Sequence, residues 1–435
     1  MDRRGRGIAI AVALAVAAAG AVDTTAGSSA RPTASAGRDA LAAAAETLFV
    51  AGEFAGADSL YARILAAVPT DTLALRGRGA VALLQNRLVD ARRWYQALRA
   101  VFPDHRGAGR QLAESYARSD DFARAATLER SLGRESRARQ LDAFAGRSAY
   151  RADPRTAEVT FAQTDPLPVV QVSVNGKPPS FFIIDTGAAQ LVLDDAFADS
   201  VGARHFGADS ATYAGGRRGT FEYGAVDSVS LGGITVRNLP VQILSTRRFA
   251  GAAGGRQVDG IIGTVFLYHF LPTLDYPGGK LVLRPRTEAS RREVDRAAAA
   301  ESAAVVPFWM SGDHFMVARG RINHSGPLLW FVDTGLAGAG FTCPEATVKA
   351  AGVDLSKLPS FDGMGGGGRV SVTPFSIDSL MLGPTIQRGV TAFFGPFPAS
   401  LEMGQGYRIA GLLSHGFLRH YRLTMDFDRM RYVLR

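Results

Sequence analysis

Two hydrophobic periods divide the chain. From Asp39 to Phe144 apolar residues recur at helical spacing, and the pattern repeats every 34 residues. Phe54, Leu88 and Phe122 share that interval, as do Ala57, Ala91 and Ala125, Tyr61 and Tyr95, and Pro69 and Pro103. Small residues at helix crossings, with proline closing each unit, predict stacked helical hairpins. The third unit is weaker, since Glu129 and Arg137 replace Tyr and Pro. After about Tyr150 the period shortens to two: "PVVQVSVNG" and "GRVSVTPFSIDSLMLG" alternate between glycine turns and predict strands. A polar stretch from Arg291 to Ala304, helical or loose, separates two β-rich segments, expected at 155–288 and 300–435.

These two segments are copies. "FFIIDTGAAQLVL" begins at Phe181 and "LLWFVDTGLAGAGFT" at Leu328, placing Asp185 and Asp333 148 residues apart. "VDSVSLGG" at Val226 matches "IDSLMLGP" at Ile377, "GIIGTVFL" at Gly260 matches "GLLSHGFL" at Gly411, and "LDY" at Leu274 matches "MDF" at Met425. Those three offsets are all 151. A constant offset with a three-residue slip marks a duplicated domain.

In each copy an apolar strand precedes Asp-Thr-Gly, and a glycine-rich hairpin and a Gly-apolar-apolar-Gly or Ser run follow. This order, over about Val159 to Arg435, resembles the retropepsin-like aspartic proteases. The resemblance implies two mainly-β acid protease domains forming a pseudo-dimer, and an endopeptidase acting on a peptide or protein substrate without a cofactor. It implies a catalytic dyad of Asp185 and Asp333, with Thr186 and Thr334 locking the loops and Gly187 and Gly335 behind them. Ile261, Ile262 and Gly263, and in the second copy Leu412, Leu413 and Ser414, would support those loops. Such chemistry needs two carboxylates so close that only one ionises readily, leaving one acid and one base. The hairpins Tyr213–Gly224 and Phe361–Val370 fall where the family places flaps, which singles out Tyr213, Gly215, Gly216, Met364 and Gly365. Two positions depart from the family pattern: Leu336 stands where a small residue is expected after Asp-Thr-Gly, and Ser414 where glycine is expected.

The helical segment, 39–144, resembles the tetratricopeptide repeats. That resemblance implies an all-α array, self-contained and shaped to bind a protein partner. A generic helical array whose apolar stripe is only core is the other reading. For the whole chain, two further readings stay open beside the protease with an internal dyad. One is a non-catalytic peptide-binding protein, and the other is a protease whose dyad forms between chains.

Composition narrows the classes. With 47% apolar and 20% charged residues the chain is globular. Its net charge of +9 comes from arginine, scattered without a basic run, which argues against nucleic acid. The single cysteine, Cys343, excludes an intramolecular disulfide and a cysteine metal cluster. The histidines show no paired helical spacing, and His415 alone lies near a motif, so no metal is expected. The Gly363–Gly368 run lacks the Gly-Lys-Ser/Thr of a phosphate loop. At the N-terminus, Arg3, Arg4 and Arg6 precede an uncharged stretch from Ile8 to Val22. That order predicts a signal peptide or anchor over 1–22 and a periplasmic or secreted protein, with 23–38 as linker.

Overall fold

The computed structural model describes residues 11–12, 34–213, 218–365 and 368–435. The expected export segment, apart from Ala11–Val12, lies outside the described residues, as do Gly215 and Gly216. Among the described residues no helix is long and apolar enough to cross a membrane.

Seven helices come first: α1 (Ala34–Val50), α2 (Phe54–Ala67), α3 (Thr72–Leu84), α4 (Leu88–Val101), α5 (Arg106–Ala117), α6 (Phe122–Ser131) and α7 (Glu135–Asp142). Alanine is the best helix former, and the alanine-rich start draws Ala34 to Arg38 into α1, shortening the expected linker. The 34-residue period is visible in space. Phe54, Leu88 and Phe122 open α2, α4 and α6, while Asp71 and His105 cap α3 and α5 by accepting the Ala74 and Ala108 amides at 2.9 and 3.1 Å. Ala57, Ala91 and Ala125 are wholly buried. Tyr61 and Tyr95 lie on Gly77 and Gly79, where a Cβ would run into the rings, so the mid-helix glycines are there for packing. At the third unit Glu129 is a buried ion partner of Arg134, 3.0 Å away, in place of an aromatic ring.

Two β-rich halves follow, joined by the Glu288–Ala300 helix. In the first, the Ser180–Ile184 strand runs parallel to Gly260–Ile262, which is in turn antiparallel to Leu191–Leu193. The second repeats the arrangement with Ser325–Asp333, Gly411–Ser414 and Phe341–Cys343. The halves meet edge to edge. Phe270–Asp275 pairs antiparallel with Arg422–Asp426, its own counterpart at the 151-residue offset, and Thr273 Oγ1 lies 2.7 Å from Thr424 Oγ1.

The helical array is not the self-contained stack its period predicts. Phe54 packs edge-on against Trp309 and Tyr407, each at 5.2 Å, in a cluster with Val81, Leu84, Phe315 and Phe331. Tyr116, Phe122, Leu141 and Phe144 join the main core of the β-rich halves. Polar contacts fix the docking: Arg319 binds Glu53 and the Gly52 carbonyl at 2.6 and 2.7 Å, and Arg118 donates to the Met310 carbonyl at 3.0 Å and to that of Gly312. Each buried aromatic contributes about 1.5–3 kcal/mol, so this junction is part of the fold. The array's docking face is covered by its own chain.

Candidate active site

Asp185 follows, and Asp333 ends, a buried strand held beside a second one. Phe182, Ile183 and Ile184 face Gly260, Ile261 and Ile262 in register, and the Asp185 amide donates to the Ile262 carbonyl at 3.0 Å. Trp330, Phe331, Val332 and Asp333 face Gly411, Leu412, Leu413 and Ser414 in the same way. Bulky apolar neighbours on both sides leave each loop little freedom. In both copies the carboxylate turns back on its own loop. Gly187 N–H donates to Asp185 Oδ1 at 2.7 Å, and Gly335 N–H to Asp333 Oδ1 at 2.9 Å.

The two loops are tied to each other through their threonines. Thr186 N–H donates to Thr334 Oγ1 at 2.9 Å, and Thr334 N–H donates to Thr186 Oγ1 at 3.0 Å. Each hydroxyl in turn donates across the junction, Thr186 to the Val332 carbonyl at 3.0 Å and Thr334 to the Ile184 carbonyl at 3.3 Å. The Asp185 carboxyl therefore lies directly over Gly335, where any Cβ would overlap it.

Burial is nearly complete, 4% exposure for Asp185 and none for Asp333. Desolvation first, and the neighbouring Asp185 charge second, raise the Asp333 carboxyl well above the ordinary aspartate range; the Gly335 amide works the other way. Among the described residues no donor reaches the buried Asp333 Oδ2. A proton held between the two carboxyls would satisfy that oxygen and remove the repulsion.

The departures in the second copy are absorbed by its longer loop. Between Asp-Thr-Gly and the next strand there are three residues in the first half and five in the second. Gly263 is pressed against the Ala188, Ala189 and Gln190 carbonyls and has no room for a side chain. The two extra residues make space at the equivalent position, where Ser414 Oγ donates to the Ala339 carbonyl at 2.6 Å. Leu336 does not crowd the loop: it packs with Ala339, Val370, Val372 and Phe393, and lines an apolar cavity of about 30 Å³.

Tyr213 is buried, in one apolar cluster with Ile183, Ile261 and Ala337. Met364 and Gly365 lie in the strand Phe361–Gly365 of the second hairpin. Sequence reasoning missed several polar neighbours. Thr264 Oγ1 donates to the Thr186 carbonyl at 2.9 Å; its counterpart at the duplicated offset is His415, so comparing the copies hid it. His415 is buried with its Nε2 2.8 Å from Asp165 and its ring 5.2 Å from Tyr276. The Tyr276 hydroxyl is pushed up by burial and then by the charges of Asp333, Asp165 and Asp185, which places it within their field. Among the described residues no group of three or more His, Cys, Asp or Glu side chains is arranged to hold a metal ion.

Residues 170–266 match the family model described as aspartyl protease. The match spans Asp185, Tyr213 and Gly263, and Asp333 lies beyond it. It supports an aspartyl protease domain in the first β-rich half, and with it a peptidase hydrolase and a peptide substrate. No curated protein matches the chain.

Proposed function

We propose that this chain is an exported aspartic endopeptidase in which Asp185 and Asp333 form one dyad inside a single chain. The reciprocal Thr186–Thr334 hydrogen bonds carry the proposal, because they tie together the two loops that bear the buried carboxyls of Asp185 and Asp333. The ionised carboxylate takes a proton from a water molecule as its oxygen attacks the scissile carbonyl. The protonated carboxyl gives its proton to the carbonyl oxygen, forming a tetrahedral diol. As the diol collapses, one of its hydroxyl protons passes to the ionised carboxyl while the proton held by the other carboxyl passes to the leaving nitrogen, so the C–N bond breaks and the pair again holds one proton. The two β-rich halves act as the two subunits of a pseudo-dimer, so no second chain is needed to complete the site. The helical repeats belong to the tetratricopeptide type and brace the protease halves.

A statine-type peptide mimics the tetrahedral diol and binds such a dyad far more tightly than substrate does. Inhibition of peptide cleavage by micromolar statine peptide is expected; cleavage indifferent to it would contradict the dyad. Export rests on the arginines and the apolar run before Val22. Intact mass from an export-competent host is expected to lack roughly the first twenty-one residues.

A further inference from the structure

Helix α7 reaches the catalytic half at a point the repeat pattern gives no reason to expect. Gln140 is fully buried, and its Nε2 donates to the Gly224 and Val241 carbonyls, each at 2.7 Å. Gly224 and Val241 are register partners on neighbouring strands, and Gly224 also faces His205, where the first hairpin leaves the sheet. Beside Gln140, 3.3 Å away, lies the carboxamide of Gln190, which the Arg137 guanidinium of the same helix also contacts. Gln190 ends the short loop that begins at Asp185, and its carbonyl faces Gly263. One glutamine thus touches both the root of the first hairpin and the tail of the loop carrying an aspartate.

The surrounding contacts point the same way. Arg134 donates to the Tyr223 hydroxyl at 3.2 Å, and Arg137 lies over the Tyr223 ring at 5.6 Å. On the facing strand a Cβ at Gly207 would come within 2.7 Å of Ser136 Oγ. Gly207 sits at a bulge with φ of 111°, a conformation open to glycine, which lets α7 lie directly on the hairpin. A buried carbonyl without a donor is costly, so a helix contributing two such bonds holds the strands in one position.

We propose that the helical array is a positioning element of the peptidase site, with Gln140 as the residue through which α7 fixes the first hairpin and the loop behind Asp185. This rests on the aspartic peptidase reading above. On that reading the hairpin borders the bound peptide, so loosening its root weakens the hold on substrate more than it slows the chemistry at the dyad.

The test compares the full chain with Gln140→Met, which keeps the length of the side chain and removes its donors, and with Tyr223→Phe, which removes only the hydroxyl that Arg134 reaches. Gln140→Met is expected to raise KM about tenfold, the effect of leaving buried acceptors without a donor, with kcat changed less than about threefold. Backbone amides of residues 205–213 and 218–225 should exchange with deuterium faster in the variant without substrate. Tyr223→Phe should move both readings in the same direction by a smaller factor, and it carries the test if Gln140→Met does not fold. Unchanged KM and unchanged hairpin exchange in a folded variant, with only a lower Tm, would overturn the proposal. The exchange measurement needs no turnover, so a wild-type chain that cleaves nothing would defeat the peptidase reading while still deciding whether α7 braces the hairpin.

Discussion

Thr186 and Thr334, 148 residues apart, exchange hydrogen bonds: each backbone amide donates to the other's hydroxyl. Both hydroxyls are buried, and each also donates onward to a strand carbonyl of the opposite half. Valine has the same shape without the hydroxyl, so Thr186→Val strands one amide and one carbonyl. A loss of about 1–3 kcal/mol in unfolding free energy is expected, read by denaturant titration. Because the residues form one unit, Thr186→Val with Thr334→Val should cost less than the two single changes added.

Gly335 contributes its absence of side chain. Gly335→Ala places a methyl where the Asp185 carboxyl sits, and the carboxyl must move. Misplacing a reacting group by an ångström costs on the order of 100-fold in rate. Turnover should fall by that much, while the far-ultraviolet circular dichroism keeps its native shape.

Stability should depend on pH through Asp333. Burial first and the Asp185 charge second hold its carboxyl well above the usual range. Between the ordinary aspartate value of about 3.9 and the raised native one, the folded chain keeps a proton that the unfolded chain has lost. Stability therefore decreases as pH rises through that window, and activity is lost at its upper end, where both carboxyls ionise. Asp333→Asn removes the coupling. The wild-type Tm should drop relative to that variant as pH is raised; a constant difference would contradict the assignment.

Removing residues 34–142 would bare Trp309, Tyr407, Phe315 and the far side of the main core. The truncated β-rich region is expected to aggregate or to lack a cooperative thermal transition, measured by calorimetry. The period-34 pattern alone leads to the opposite expectation, an array that can be cut away.

That contrast shows what a linear pattern carries. Phe54, Ala57 and Tyr61 recur because each unit repeats the same helix crossing, so the period is legible as an array. The residues that dock the array, Arg118, Gln140 and Arg319, meet partners far along the chain and follow no period. The same holds at the site. Asp185, Thr186, Asp333 and Thr334 stand out because duplication places each tripeptide behind the same apolar strand. Thr264, Tyr276 and Asp165 do not, since their counterparts in the other copy differ in chemistry or lie outside the matched runs. Ser414 reads as a defect until the two-residue lengthening of its facing loop is seen in space.

The central claim is that Asp185 and Asp333 of one chain act as a single acid–base pair. Asn keeps the shape of Asp but cannot share the proton, so each of Asp185→Asn and Asp333→Asn should lower kcat by about 100-fold or more. The double variant should be little worse than either single one, because the residues act as a unit. The most direct measurement is peptide turnover by an equimolar mixture of the two folded single variants. An internal pair predicts that the mixture is as inactive as each variant alone, whatever the protein concentration. Activity restored on mixing, or full activity in Asp333→Asn alone, would contradict it.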